Sequence, residues 1–271
     1  MSMLRVLRFV SVVFMVSMGS NVVFAKSIDM LINSVISDIQ QRFVGEGQVV
    51  VVVSAGSNRP ENEMLFFIDS ENQERINLNR TLQARWLTSD EIIVQQSYKT
   101  ISKTLGNRII RVDRHGQLLE LLSEQEGVTS PEFNKLALAA WVKSNRGYVP
   151  RIGVVSGASE GIQMINDDMS LNARPLFWEK EWVYGANDKG MFRCDAMEHG
   201  CEFIYAPGDG RRIVSGVSVG KDHALLLVQN LRRDPFETRA TEIHKVDFSE
   251  GKKLDVLEFP EGVFIIDIDC D

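Results

Sequence analysis

The chain has 271 residues, and its 37 acidic side chains outnumber 30 basic ones for a formal charge of −7. That balance excludes nucleic acid as a partner of the surface as a whole, and three cysteines are too few for a disulfide-built scaffold. With 44% hydrophobic residues, a chain of this length can bury a sizeable core.

The N-terminus reads as a targeting signal. Residues 1–8 carry Arg5 and Arg8 and no acid, residues 9–18 form an apolar run, and Gly19, Ser20 and Asn21 break it ahead of Val23-Phe24-Ala25. This is the order of a cleavable signal peptide, and the run is shorter than the roughly 20 residues a membrane-spanning helix needs. We therefore expect residues 1–25 to be removed and the remaining 246 residues to be periplasmic or secreted, not membrane-spanning, with a net charge of −9.

Residues 26–47 are expected to hold one helix and a linker. Ile28, Leu31, Ile32, Val35, Ile36, Ile39 and Phe43 recur at helical spacing, Ser27 is a candidate N-cap, and Gly45 and Gly47 end the pattern. The apolar stripe should pack on the edge of the domain.

From Gln48 onward the period becomes that of strands. Turn positions Asp69, Asp113, Ser156, Asp195 and Asp247 each separate two short apolar runs, and four of the five are Asp, which closes an Asx-type turn. They lie 44, 43, 39 and 52 residues apart, a repeat length that marks propeller blades. Each turn has a further strand before it, such as Glu91-Ile92-Ile93-Val94 or Glu181-Trp182-Val183-Tyr184. The first unit lacks an innermost strand, whereas residues 263–269 form a strand without a unit. We therefore expect an all-β fold over 48–271, a β-propeller of about five four-stranded blades closed by the C-terminal strand, which removes the raw sheet edges.

Ser130-Pro131-Glu132-Phe133-Asn134-Lys135-Leu136-Ala137 and Trp86-Leu87-Thr88-Ser89-Asp90-Glu91-Ile92-Ile93 carry a family likeness. The repeats resemble those of TolB-like, WD40-like bacterial propellers and are similar to the propeller domain of prolyl oligopeptidase-type peptidases. The Asp-Gly pair of the family turn is missing, and no hydrolase domain follows in the sequence given. The resemblance thus implies an interaction or gating module, and peptidase activity does not carry over.

Candidate chemistry is sparse. Gly-x-Ser-x-Gly occurs at 157–161 and 216–220, but the first falls in a hairpin turn and the second leads into a strand, whereas a nucleophile elbow needs a helix there. His115, His199, His223 and His244 make no metal-ligand spacing. Asp267, Asp269 and Asp271 alternate along the last strand and share one face; Asp267 and Asp269 are the candidate ligands of a calcium ion at the channel. Cys194 and Cys201 flank one hairpin turn and are expected to form a structural disulfide, leaving Cys270 over. Trp86, Trp141, Trp178 and Trp182 are expected to pack between blades.

Charge divides by loop class. Connections between blades, and those joining second to third strands, collect on one rim; they hold Arg85, Arg174, Arg211, Arg212, Arg232 and Arg233 together with long loops near 97–107 and 230–241. The hairpin turns of the other rim are more acidic. The expected function is a non-catalytic exported propeller whose basic rim binds a protein or peptide partner of the cell envelope. The alternatives are a propeller hydrolase or lyase with its site at the channel mouth, and a remnant regulatory propeller of a peptidase.

Overall fold

The computed structural model describes residues 28–43 and 48–270, apart from 56–62, 70, 77, 79, 89, 100–104, 124–127, 131–134, 145–146, 157–161, 197–199 and 234–238. The expected signal segment, Ser27, His199, Asp271 and the first Gly-x-Ser-x-Gly lie outside the described residues, as does the Trp141 side chain. Among the described residues, no helix is long and apolar enough to cross a membrane.

A helix, α1, spans residues 28–43. Three strands follow, β1 (Val49–Ala55), β2 (Glu63–Ile68) and β3 (Gln73–Ile76). The second blade is β4 (Thr81–Thr88), β5 (Glu91–Lys99), β6 (Leu105–Asp113) and β7 (Leu118–Ser123). The third is β8 (Val128–Ser130), β9 (Lys135–Ser144), β10 (Gly147–Ser156) and β11 (Gln163–Met164). The fourth is β12 (Arg174–Glu179), β13 (Trp182–Asn187), β14 (Gly190–Asp195) and β15 (Cys201–Tyr205), and the fifth is β16 (Arg211–Ser218), β17 (His223–Asn230), β18 (Glu242–Asp247) and β19 (Lys252–Glu258). The last strand, β20 (Val263–Cys270), joins the first sheet, in the order β20-β1-β2-β3.

The result is five four-stranded antiparallel sheets, each a meander. The first strands of the sheets stand closest together: β20 lies against β4 on one side and β16 on the other, β16 adjoins β12, and β12 adjoins β8. These strands therefore surround the axis of a propeller whose first and last blades are joined by β20. The pairing of Val49 with Cys270 through Ala55 with Val263 holds that closure, with a bulge at Val52/Val53.

Packing between blades explains the apolar runs. Val49, Val51 and Val53 of β1 enter a core shared with the fifth blade, through Val214, Val217, Leu225 and Ile243. Val50 and Val52 enter a second core with the second blade, through Ala84, Trp86, Ile92 and Val94. A strand buried on both faces loses the usual alternation, which is why residues 49–53 are five valines in a row.

Helix α1 covers the closure seam. Ile32, Val35, Ile36, Ile39 and Phe43 pack into the core between the fifth and first blades; Ile36 and Ile39 are fully buried, a contribution of about 1.5–3 kcal/mol each. Its polar residues reach both sides of the seam. Arg42 pairs with Asp255 of β19 and donates to Val256 O at 3.0 Å. Gln40 donates to Asp69 O and accepts from Gln73 Nε2, both in the first blade.

Three of the four Asp turns close as expected. Asp69 Oδ1 accepts from Glu71 and Asn72 N–H, Asp113 Oδ1 from His115 and Gln117, and Asp247 Oδ1 from Ser249 and Glu250. One expectation is corrected. Residues 97–99 and 105–107 are not loop: β5 and β6 stay paired out to Lys99 and Leu105, because a polar run can continue a ladder whose hydrogen bonds are all backbone.

Candidate functional site

The innermost strand of each blade has one open edge, a row of backbone groups without a strand partner. Around β4 this edge is closed by carboxylates. Asp267 and Asp269 stand two residues apart on β20, so they share a face; Ala84 and Trp86 stand two apart on β4, so their N–H groups point the same way. Asp267 Oδ2 accepts from Ala84 N–H at 2.9 Å and Asp269 Oδ2 accepts from Trp86 N–H at 2.7 Å. The two acids tie the first blade to the second.

A third blade joins through Asp267. Arg85 Nη1 donates to Asp267 Oδ2, to Ala84 O at 2.8 Å and to Ile268 O at 3.3 Å. Ser215 of β16 donates its hydroxyl to Asp267 Oδ1, and Arg85 Nη2 reaches Ser215 Oγ at 3.4 Å. The side chains of Arg85 and Asp267 are 11% and 1% exposed. Burial works against the Arg85 charge, and Asp267 with Asp269 outweighs it, so the guanidinium is held charged. Burial pushes the Asp269 carboxyl up to about 7, against the pull of Arg85 and the Trp86 N–H. Burial, with Asp269 beside it, pushes the Cys270 thiol up as well, which makes it a poor nucleophile at neutral pH.

Arg85 is therefore not a rim residue. It lies mid-strand, where the buried carboxylate of Asp267 needs a counter-charge. The calcium expected at Asp267 and Asp269 meets the same geometry: both Asp267 oxygens are directed at protein donors. Among the described residues, no group of three or more His, Cys, Asp or Glu is arranged to hold a metal.

The other five arginines do gather at one rim. Arg174 opens β12, Arg211 and Arg212 open β16 opposite Asn230 and Gln229 of β17, and Arg232 and Arg233 follow β17 directly. All five thus sit at the same end of the fourth and fifth blades. Arg174 Nη1 donates to Val214 O at 2.9 Å, Arg212 Nε to Gln229 Oε1 at 2.7 Å and Arg233 Nη2 to Phe259 O at 3.1 Å. Arg232 is exposed, its N–H held by Asn230 Oδ1 at 3.1 Å, and its side chain lies over Gly210. The long loop expected near 230–241 is present only in part among the described residues, which leave out 234–238.

Beneath the rim is a buried polar network that sequence reasoning missed. Arg211 Nε donates to Glu242 Oε2 at 2.9 Å, Asn230 Nδ2 to Glu242 Oε1 at 3.1 Å, and His244 Nε2 lies 2.9 Å from Glu242 Oε2. Tyr205 OH lies 2.8 Å from His244 Nδ1. An ionised Glu242 only accepts, so we assign the proton to Nε2, which makes Nδ1 the acceptor of the Tyr205 hydroxyl. Burial pushes Tyr205 up to about 12. Burial holds His244 below its ordinary value despite Glu242. Burial raises Glu242, but bonds from Arg211, His244 and Asn230 outweigh it and leave that carboxyl low. The signal in the sequence was a polar Glu242-x-His244 pair on the same face as Val246, a residue of the core. Without the fold, nothing says that Tyr205 of the neighbouring blade completes it.

The remaining candidates find ordinary places. His115 is an exposed turn residue 3.7 Å from Glu74. Ser218 of the second Gly-x-Ser-x-Gly ends β16 and a strand follows, so no elbow forms. Trp86 packs on Phe67 between the first two blades, with ring centroids 5.1 Å apart, while Trp178 donates its indole N–H to Lys180 O at 2.8 Å and Trp182 lies beneath the Arg193 guanidinium. Cys194 and Cys201 lie opposite each other on β14 and β15 and form the expected disulfide.

No protein-family model matches the chain, and no curated protein sequence matches it. Solved structures do. TolB from Acinetobacter baumannii matches over 83% of this chain and 67% of its own, with 12% identity and a TM-score of 0.50. A chain of a nidogen/laminin complex matches over 83% and 98%, with 9% identity and a TM-score of 0.51. At such identities the likeness concerns the fold alone: this chain is a five-bladed β-propeller, similar in fold to the TolB propeller.

Proposed function

We propose that the protein is an exported, non-catalytic propeller that binds an anionic segment of a protein or peptide of the cell envelope through the basic rim of its fourth and fifth blades. The observation that carries this reading is the gathering of Arg174, Arg211, Arg212, Arg232 and Arg233 at one end of two adjacent blades in a chain of net charge −7. A basic patch on an acidic protein steers an anionic partner to that patch. Export is supported by the charged, apolar and small-residue order of the first 25 residues and by the Cys194–Cys201 disulfide, a bond favoured in oxidising compartments.

A photo-crosslinking side chain at position 232, compared with one at Ser249 on the opposite rim, tests the reading in intact cells. A discrete protein adduct from position 232 only, diminished by Arg212→Glu with Arg233→Glu, is the expected result. Equal labelling from both rims, or an adduct insensitive to the charge reversals, would count against it. Mass measurement of the exported chain should give an N-terminus near Lys26.

A further inference from the structure

We infer that a groove on the outer part of the fourth blade is a binding site for a neutral sugar ring. It has a volume of about 420 Å³ and is lined by Asp168, Met169, Leu171, Asn172, Asn187, Asp188, Lys189 and Phe203, within the size range of small-ligand sites. It is separate from the basic cluster and does not rest on the binding role proposed for it.

The groove is preformed. Its upper wall is the connection from β11 to β12, and that connection is held at many points. Asp167 accepts from Met169 N–H at 2.8 Å and from Cys201 N–H at 3.3 Å. Ser170 Oγ donates to Ile165 O at 2.7 Å, Asn172 N–H to Pro150 O at 2.8 Å, and Asn187 Nδ2 to Met169 O at 3.0 Å. The lower wall is the tight β13–β14 turn, where Gly190 has φ 141° and a Cβ would run into Tyr205 O. The Cys194–Cys201 disulfide braces the hairpin that carries Phe203.

The lining has two characters. Phe203 pairs across β14 and β15 with Phe192; Phe192 is fully buried, but Phe203 is 49% exposed. Its ring, with Met169 and Leu171, makes an apolar wall. The same groove is lined by Asp168, Asp188, Asn172 and Lys189, whose side chains hold no bond to other described residues. Asn187, by contrast, is committed through both amide atoms: Nδ2 donates to the loop at Met169 O, and Oδ1 accepts from the Lys189 N–H of its own turn.

This combination selects a chemistry. Two carboxylates against one ammonium give a net negative lining, which disfavours an anion. Lys189 within the groove disfavours a cation, and one aromatic ring is not a cage. Acceptors and donors sharing one groove with an aromatic ring suit a ligand ring with an apolar C–H face and hydroxyls that both donate and accept. The volume equals that of about 14 liquid waters at ~30 Å³ each, room for one such ring.

Saturation-transfer NMR and calorimetry on the purified chain, with methyl glucoside, methyl galactoside and N-acetylglucosamine as probes, test this. At least one should bind saturably, Phe203→Ala should weaken it about tenfold, and Asp188→Asn should weaken it too. Glu250→Gln on the far rim should leave it unchanged. Both groove positions are exposed, and an unchanged unfolding midpoint confirms that each variant folds. Absence of saturable binding up to tens of millimolar for all three sugars would overturn the assignment. So would undiminished binding by Phe203→Ala, or tighter binding of tetramethylammonium than of any sugar.

Discussion

Asp267 and Asp269 sit two residues apart, accept from equivalent backbone N–H groups, and yet carry different burdens. Asp267 balances the Arg85 charge, so Asp267→Asn strands a buried guanidinium; breaking such a pair costs about 3–5 kcal/mol. Asp269 is partly protonated near neutrality, and Asp269→Asn keeps an oxygen for Trp86 N–H, so its cost should stay near or below ~1 kcal/mol. Adding Arg85→Met to Asp267→Asn should recover much of the loss, because no unpaired charge remains. Urea unfolding of the three variants measures all of this; equal costs for the two single Asp variants would show that the Arg85 pair is not the distinguishing contact.

The same residues set a pH dependence whose sign follows from linkage. Burial depresses His244, whose ordinary value is 6.5. The unfolded chain therefore takes up this proton first, and stability falls as pH drops below about 6.5. Asp269 is raised from 3.8 to about 7, so the stabilisation of its neutral form is complete below about 3.8 and is lost as pH rises through about 7. Glu242 is lowered from 4.5, and its contribution is lost as pH falls below that value. Unfolding midpoints across pH 5 to 8 should show the wild type losing ground to Asp269→Asn as pH rises, while His244→Gln flattens the acid side. A wild-type profile parallel to both variants would contradict these assignments. The sequence showed that Asp267 and Asp269 share a face, because alternation is local. It did not show Arg85 as their partner, which lies 182 residues away from Asp267 and comes near only when the ring closes.

At the scale of elements, each local signal that relied on nearby residues was legible. The helix at 28–43 follows from its apolar stripe, the Asp turns from Asx geometry, and the Cys194–Cys201 bridge from its position in one hairpin. The bridge spans a separation of 7 residues, and removing both cysteines should cost about 2–3 kcal/mol by loop-closure entropy, read as a lower denaturant midpoint. Less legible were the lengths of β5 and β6, whose polar ends 97–99 and 105–107 carry no alternation. Helix α1 looked like an edge cover and proves to be a clasp over the joint between the fifth and first blades. Ile36→Ala empties a fully buried position and should cost about 2–5 kcal/mol. Arg42→Ala removes a half-exposed pair and should change stability by no more than ~1 kcal/mol. Comparable losses in the two variants would mean that the polar contacts, not the apolar stripe, hold the helix.

For the whole molecule, the ring was legible because its repeat lies in the sequence itself: turns at 44, 43, 39 and 52 residues, one strand missing at the start and one spare at the end. The positions proposed to bind a partner carry no such period. Rim and groove assemble from strand ends, from turns within the fourth and fifth blades and from the β11–β12 connection, so their residues are brought together only by the fold. The ring also explains why three ties converge on one place. Strand β20, the Asp267–Arg85–Ser215 contacts and helix α1 all lie where the first blade meets its neighbours, beside the β20–β1 pairing that joins the two ends of the chain without continuous backbone. The rim and the groove keep their geometry only while that region holds. Hydrogen exchange read by mass spectrometry on peptides covering residues 49–55 and 263–270 tests this most directly. The account predicts that the C-terminal peptide is protected as strongly as β1 and that both lose protection together in Asp267→Asn. Exchange of residues 263–270 at the rate of a frayed terminus, with residues 49–55 still protected, would contradict it.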